Sequence, residues 1–259
     1  MGKRIVVTGR GGTGKTTLAA IAARFLPSPK LLVDADPDLS LGAMLGVDLR
    51  SREVRTISEA LYDIQSRKTS VELDSMTLPE KIEYLLQLSC LYESEDFDLI
   101  TLGVKWTRGC YCAPNDVLRS IIPDISRNYA FTILDSPAGV EHINRQLLPQ
   151  VDDIFAVADP SAKSLRNTET LRDIASAIGF RYENLYVVAN YRFMDGEEEP
   201  LRKLQGAKFL GRIQRDASVE RYDWESRSLL TLPEDSPACV SVRELLSRAG
   251  YPVRSGSLN

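Results

Sequence analysis

A glycine-rich loop between an apolar segment and a helical pattern is the feature that most constrains this chain. The apolar segment covers residues 4–8, the loop reads Gly-Arg-Gly-Gly-Thr-Gly-Lys-Thr-Thr over residues 9–17, and the helical pattern covers residues 15–25. In the pattern G-x-x-x-x-G-K-[ST], backbone N–H groups at a helix N-terminus surround phosphate groups. Glycines are needed because this backbone adopts conformations closed to residues with a Cβ atom. The loop therefore predicts nucleotide phosphate binding.

Two side chains of the loop have predicted roles of their own. Lys15 is expected to bring positive charge to the outer phosphates, and the Thr16 hydroxyl to coordinate Mg²⁺. A glycine-rich turn that arose by chance is the alternative, and the flanking strand and helix disfavour it. The residues predicted to bind the nucleotide from this loop are Gly11, Gly12, Thr13, Gly14, Lys15, Thr16 and Thr17.

Apolar runs and helical patterns alternate along the rest of the chain. The runs predicted as strands are 4–8, 30–33, 97–102, 131–134, 154–158, 185–189 and 207–210. The predicted helices are 15–25, 78–91, 115–125, 162–178 and 240–249. This alternation predicts an α/β fold, a doubly wound, mostly parallel sheet with helices on both faces. We expect a single domain over residues 1–259, with a helical insertion at about 48–96 and a loose tail at 254–259.

Composition and charge disfavour several classes of function. A net charge of -4 and a pI near 5.3 argue against a nucleic-acid surface, which needs a clustered excess of Lys and Arg. No run of residues is apolar for long enough to span a membrane, and Met1 leads directly into a strand without a signal-peptide segment. A cytoplasmic location without stable membrane association is expected. The single histidine, His142, leaves little material for a Ser-His triad.

Acidic residues stand at the ends of two predicted strands. Asp34, Asp36 and Asp38 follow the strand 30–33, and Asp135 follows the strand 131–134. Open α/β sheets bind ligands at the carboxyl ends of their strands, so these acids should converge on the phosphates. Phosphoryl transfer requires a metal held by carboxylate groups and a group that orients the attacking water. A turn or helix-capping role is the alternative, and for Asp34 or Asp38 alone the two interpretations are equal.

Four cysteines lie at positions 90, 110, 112 and 239, and in a cytosolic chain of this size they are poor candidates for a disulfide framework. Cys110 and Cys112 lie one residue apart before a predicted helix, whose N-terminus favours the metal-binding thiolate form. Two thiolates leave a tetrahedral site incomplete, and a twofold dimer would supply the other two. A pair of free cysteines or a redox pair is the alternative. Cys90 and Cys239 are expected in the core.

The second loop position, Arg10, gives the phosphate loop a resemblance to the deviant Walker A ATPases, in which this position usually holds a lysine. In that family the lysine crosses a nucleotide-sandwich dimer to the partner's phosphates. An arginine keeps the charge but has another geometry, and an ordinary solvated loop residue is the alternative. The resemblance implies a homodimeric ATPase in which Asp36 orients the attacking water with Lys15 and Arg10 as catalytic cations.

The same resemblance implies roles for residues on other strands. Asp135 would hold Mg²⁺ through its coordination shell, Asp34 would support this group, and the Gly139 N–H would sense the γ-phosphate. Asn190, which follows the strand 185–189, would bind adenine, although it could equally be a turn residue. Residues 209–216 resemble the base-side loop of the family, with Gln214 where a proline is usual. ATP, ADP and Mg²⁺ are the implied ligands.

The segment Gly-Cys-Tyr-Cys-Ala-Pro-Asn at 109–115 and the segment at 135–142 resemble the nickel-insertion ATPases of carbon monoxide dehydrogenase, the CooC type. The likeness implies that Cys110 and Cys112 bind Ni²⁺ or Zn²⁺ across the dimer, and that hydrolysis releases the metal. The implied client is a nickel enzyme, carbon monoxide dehydrogenase or acetyl-CoA synthase. His142 is expected to make a structural contact. A positioning ATPase or an iron–sulfur redox protein is the alternative.

Overall fold

The protein is described here by a computed structural model. It describes residues 2–66, 76–77, 80–81, 84, 89–104, 112–140, 147–148 and 150–254. The strands of this part of the chain form one eight-stranded sheet in the order β3-β4-β2-β5-β1-β6-β7-β8. All neighbours are parallel except β3 and β4. The strands are β1 (Lys3–Gly9), β2 (Lys30–Asp34), β3 (Leu91–Tyr92), β4 (Asp98–Thr101), β5 (Phe131–Asp135), β6 (Asp153–Ala158), β7 (Asn184–Ala189) and β8 (Lys208–Arg212).

The central strands are buried along their whole length and mostly apolar, because helices cover both faces of the sheet. Every residue of β2, β5 and β6 is buried. Successive side chains point to opposite faces, so that Val7 packs in one layer and Val6 in the other. The α-helices of the described part are α1 (Lys15–Phe25), α2 (Ser40–Met44), α3 (Ile57–Gln65), α4 (Cys112–Ile125), α5 (Ala162–Ala177), α6 (Glu199–Arg202), α7 (Ala217–Trp224) and α8 (Pro237–Arg248).

The helices divide between two apolar layers. Helices α1, α2, α7 and α8 contribute buried side chains to the layer that contains Val7 and Ile133. Helices α3, α4 and α5 contribute to the opposite layer, which contains Val6 and Leu134. The phosphate-loop helix and the cysteine-bearing helix therefore lie on opposite faces of the sheet. A doubly wound α/β sheet of this kind confirms the predicted fold class.

Polar side chains fix where several helices begin. Thr56 and Glu59 form a capping box at α3, in which each accepts the other's backbone N–H. Ser161, Asp216 and Ser236 cap α5, α7 and α8. These caps set the starting residues of helices that flank the carboxyl edge of the sheet.

The seven predicted strands are all present, with ends shifted by at most two residues. The prediction of a helix over 78–91 was wrong at its end, because Leu91 pairs with Ile100 in an antiparallel strand; residues 78–79, 82–83 and 85–88 lie outside the described residues. Helices α2, α3, α6 and α7 were not predicted, and α3 occupies part of the predicted insertion at 48–96. Of the tail at 254–259, Arg254 donates its N–H to the Phe25 carbonyl at 2.8 Å; the other residues lie outside the described part.

Candidate functional site

The predicted site residues meet at the carboxyl edge of the sheet, where β1, β2 and β5 are neighbours. The register pairs Val7 with Asp135, Asp135 with Asp34, and Asp34 with Thr101. Side chains in such a row lie on the same face of a parallel sheet. The two acids are therefore adjacent, beside the loop that joins β1 to α1.

The glycines of the phosphate loop are required by its backbone. Gly14 has a φ of 96° and precedes the first residue of α1, and Gly12 has a φ of 72°. At Gly9, a Cβ atom would lie 2.3 Å from the Val157 carbonyl oxygen of the neighbouring strand β6. Larger residues would distort the loop, so the sequence pattern is explained by both conformation and close packing.

The loop is held by its own side chains around the carbonyl of Arg10. The Thr13 hydroxyl donates to this oxygen at 2.8 Å, and the Lys15 Nζ donates to it at 3.3 Å. The Lys15 side chain is buried within the loop. Phosphate oxygens placed in the loop would offer this ammonium a charged acceptor in place of a neutral carbonyl. Lys15 is therefore in position for its predicted role.

Asp135 is a buried carboxylate left open on both oxygens. It is 0% exposed, and within the described part of the chain neither Oδ1 nor Oδ2 has a hydrogen-bond partner. Burial raises the pKa of Asp135 to about 7, although the nearby Thr16 hydroxyl and Lys15 ammonium oppose the rise. A buried carboxylate is costly unless it is paired, hydrogen-bonded or metal-bound. Thr16 and Asp135 therefore fit a Mg²⁺ site, where the ion would supply positive charge to the outer phosphates.

Asp34 is as deeply buried as Asp135, but both of its oxygens have partners. Oδ1 accepts the Asp36 N–H at 3.1 Å and Oδ2 accepts the Leu41 N–H at 3.0 Å. Burial, with the charge of Asp135, raises the pKa of Asp34 to about 8. Asp34 thus joins the end of β2 to the segment that leads into α2. Its support of the nucleotide site stays a prediction.

Asp36 is half-buried in the segment that Asp34 holds, and its Oδ1 accepts the Asp38 N–H at 3.1 Å. This contact is an Asx-type turn, which leaves the other carboxylate oxygen available. The structure therefore brings Asp36 to the correct edge of the sheet. Its orientation of an attacking water stays a prediction.

Gly139 lies against the phosphate loop. Its φ is 93°, and its N–H donates to the Gly9 carbonyl at 3.1 Å. The predicted contact with a γ-phosphate would have to replace this bond. That contact also stays a prediction.

An open cleft adjoins the phosphate loop on the α7 and α8 side. It is lined by Thr13, Gly14, Thr17, Asn190, Tyr191, Ile213, Gln214, Arg215, Asp216, Val219, Glu220 and Ala238. Its position beside the loop suits the base and ribose of a nucleotide whose phosphates lie in the loop. The lining includes Asn190 and residues of the 209–216 segment, which the sequence predicts here, and also Tyr191 and residues of α7, which it does not predict.

The side chain of Asn190 is already engaged. Its Nδ2 donates to the Thr13 carbonyl at 3.3 Å, and its Oδ1 accepts the Arg192 N–H at 3.0 Å. The Asp216 carboxylate also has partners. It accepts the backbone N–H of Ser218 in α7 at 2.8 Å and that of Ala238 in α8 at 3.2 Å. Both side chains shape the cleft, and the adenine contact of Asn190 stays a prediction.

Two further predicted residues contact neighbours on other elements. The Thr17 hydroxyl lies 3.9 Å from the Met44 sulfur of α2. The Arg10 guanidinium turns toward Ser161 and Asp159, at the end of β6 and the start of α5. Neither Asp159 nor Ser161 was anticipated from sequence. The signal was available, because an Asp-Pro-Ser sequence follows the apolar run 154–158 at the same sheet edge.

The cysteines occupy different surroundings. Cys112 is exposed at the first residue of α4 and is disulfide-bonded. Cys110 and His142 lie outside the described residues. Cys90 and Cys239 are free and buried, as expected of core residues, and burial raises the pKa of Cys90 to about 11. Among the described residues, His, Cys, Asp and Glu form no group of three or more that could hold a metal ion.

The described helices include none that is long and apolar enough to cross a membrane.

Comparison with known families matches residues 5–229 to the CobQ/CobB/MinD/ParA nucleotide binding domain. An uncharacterized ATP-binding protein of Methanocaldococcus jannaschii, MJ0685, is 31% identical over 252 residues, which cover 94% of this chain and 97% of that protein.

Two other proteins illustrate the range of relatives. The carbon monoxide dehydrogenase accessory protein CooC of Rhodospirillum rubrum is 24% identical over 262 residues, covering 95% of this chain and 97% of that protein. The septum site-determining protein MinD of Pyrococcus horikoshii, solved with Mg-ADP, superposes with a TM-score of 0.65 at 19% identity and covers 96% of each chain. The fold is thus shared with proteins of different cellular roles.

Proposed function

The chain belongs to the CobQ/CobB/MinD/ParA family of nucleotide-binding proteins and is an ATPase, and on that premise we propose that it delivers a metal ion. The cargo is Ni²⁺, with Zn²⁺ as the competing ion. The client is a nickel enzyme, carbon monoxide dehydrogenase or acetyl-CoA synthase. The metal is held between two subunits by the Cys-x-Cys segments, and ATP hydrolysis controls its release.

One observation carries this proposal. Cys112 is exposed at the first residue of a 14-residue helix. It follows Cys110 by two positions in the sequence. The partial positive charge of a helix N-terminus stabilises a thiolate there. An exposed cysteine two positions from another cysteine in the sequence suits a soft divalent metal better than it suits a buried core. The disulfide at Cys112 means that the metal-binding form is the reduced one.

The CooC relative supports the same reading, because its likeness extends over 95% of this chain. Family members with other roles, such as MinD, resemble this chain at a similar level of identity. The cysteine segment is therefore the feature that selects metal delivery among the activities of the family.

The nucleotide chemistry follows from the residues at the sheet edge. Thr16 and Asp135 would hold Mg²⁺, and Asp36 would orient the attacking water. Lys15 would contact the outer phosphates of its own subunit, and Arg10 would contact those of the partner subunit. A Gly139 N–H released from Gly9 would contact the γ-phosphate, so the loop after β5 differs between the ATP and ADP states.

Metal stoichiometry tests the proposal. Anaerobic protein reduced with a dithiol is loaded with Ni²⁺, and its metal content and mass are measured by elemental analysis and light scattering, with and without ATP. One metal per two chains, lost in Cys112→Ser and altered by ATP, is the expected result. Cys239→Ser is the matched control, because it changes a buried free cysteine in the apolar layer opposite that of α4 and should keep the metal.

Equal metal content in the wild type and in Cys112→Ser, or none in either, would contradict metal delivery. A brown chromophore with iron and inorganic sulfide in the anaerobic protein would instead support an iron–sulfur redox role.

A further inference from the structure

The side chain of Arg10 is held within its own subunit. Its Nη1 donates to Ser161 Oγ at 3.2 Å and lies 4.0 Å from Asp159 Oδ2. Both partners follow β6, which pairs with β1 up to Gly9, directly before Arg10. The guanidinium is thus drawn along the sheet edge to the N-terminus of α5.

Ser161 and Asp159, which contact the Arg10 guanidinium, also bond to each other and to the first turn of α5. Ser161 Oγ donates to Asp159 Oδ1 at 2.5 Å and accepts the Ser164 N–H at 3.2 Å. Asp159 Oδ1 also accepts the Ser161 N–H at 3.0 Å. A hydroxyl has one donor and two acceptor positions, so the Arg10 bond completes those of Ser161. Asp159 Oδ1 is committed to the turn, and Oδ2 is left facing the guanidinium.

Burial differs across this contact. The Asp159 side chain is 11% exposed, whereas that of Arg10 is 36% exposed. The carboxylate is therefore a fixed acceptor, and the guanidinium is free to leave it. The Arg10 backbone stays in place because its carbonyl accepts from Thr13 and Lys15. The side chain of Arg10 can change partner without rearrangement of the phosphate loop.

We propose that Asp159 is a positioning residue that holds Arg10 in its own subunit and thereby opposes nucleotide-sandwich dimerisation. The inference rests on the proposed function, in which Arg10 reaches the phosphates of the partner subunit. One guanidinium cannot occupy both positions, so each dimer forms at the expense of two intrasubunit contacts. The phosphates of bound ATP carry more negative charge than one carboxylate and therefore compete for Arg10.

The variant Asp159→Asn tests this role. Asn keeps an oxygen that accepts from the Ser161 N–H and hydroxyl, so the cap of α5 is retained, while the charge that faces Arg10 is removed. An ion pair with one partly exposed partner and a long N–O distance changes an equilibrium by about two- to threefold. Since two contacts are lost per dimer, we expect the dimer dissociation constant to fall by about four- to ninefold. Sedimentation with Mg²⁺ and a non-hydrolysable ATP analogue measures it.

A double-mutant cycle with Arg10→Ala separates this effect from other consequences of the substitution. In the Arg10→Ala background, Asp159→Asn should leave the dissociation constant unchanged. A wild type that dimerises with the same constant as Asp159→Asn, or an effect that persists without Arg10, overturns the positioning role alone. If neither the wild type nor Asp159→Asn dimerises at any concentration, the proposed dimer and the positioning role both fail.

Discussion

The ends of β2 and β5 carry two aspartates that are adjacent in the sheet and equally buried, yet differ in their partners. Asp34 accepts two backbone N–H groups, whereas within the described residues Asp135 accepts none. Both have raised pKa values. The difference indicates that the end of β2 uses its acid to hold the chain, while the end of β5 keeps its acid open for a cation.

The largest effect is expected from Asp135→Asn. The amide retains the size of the carboxylate but loses the charge that Mg²⁺ requires, so the ATPase rate should fall by about 10²- to 10³-fold. The folded protein should be at least as stable in Mg²⁺-free buffer, because an unpaired buried charge has been removed. Phosphate-release kinetics and denaturant unfolding test both expectations. A marked loss of stability would show that Asp135 holds the fold as Asp34 does.

Two adjacent threonines of α1 provide the next comparison, because one lies at the end of β5 and the other contacts α2, the helix that follows β2. Thr16 lies beside Asp135, and Thr17 contacts Met44 of α2. We expect Thr16→Val to lower kcat by about 10- to 100-fold through loss of a metal ligand. Thr17→Val should change it by less than about fivefold, because a weak contact to sulfur is lost. The Mg²⁺ dependence of the rate distinguishes them, and equal defects would contradict the assignment.

Asp34→Ala should act mainly on stability. It leaves the Asp36 and Leu41 N–H groups without their acceptor, at a cost of about 1–3 kcal/mol for a buried unsatisfied group. Asp34→Asn is the matched control, because its amide oxygen can still accept one of the two bonds. Urea unfolding should therefore rank the wild type above Asp34→Asn and Asp34→Asn above Asp34→Ala. The reverse order would mean that burial of the Asp34 charge outweighs its hydrogen bonds.

The smallest effect is expected in the pH dependence of stability. The raised pKa values of Asp34 and Asp135 mean that the folded protein binds protons more tightly than the unfolded chain. Their contribution to stability is complete below the ordinary aspartate pKa of about 4 and is lost as the pH rises through about 7 to 8. In Mg²⁺-free buffer, the wild type should lose more stability between pH 5 and 8 than Asp135→Asn. Thermal melts of both proteins across this range provide the test, and identical slopes would contradict it.

Much of the fold could be predicted because its signals are local. The strand before the phosphate loop, the loop and α1 occur in one short stretch of sequence, and buried parallel strands stand out as apolar runs. The weaker elements gave less signal. Leu91–Tyr92 is only two residues long, and α2 and α6 are about one turn each, so no periodicity could reveal them.

The sequence predicted which residues gather at the candidate site better than it predicted their hydrogen-bond partners. Strand-end positions placed Asp34, Asp36 and Asp135 at one edge, as the register now shows for two of them. Asp159 was missed because an acid after a strand is usually a turn former, and only its proximity to Arg10 distinguishes it.

The sequence by itself determined the phosphate loop, the alternation of strands and helices, the edge at which the acids gather and the spacing of the cysteines. These depend on backbone geometry and apolar periodicity, which neighbouring residues encode. Only the tertiary structure decided that Asp34 is bonded while Asp135 is open, that the Asn190 amide holds the loop, and that Arg10 turns to Asp159. The Asn190 and Arg10 contacts join groups more than 100 residues apart in the chain, whereas the partners of Asp34 lie only two and seven residues away. In each case packing and burial, rather than apolar pattern, select the partner of the polar atom.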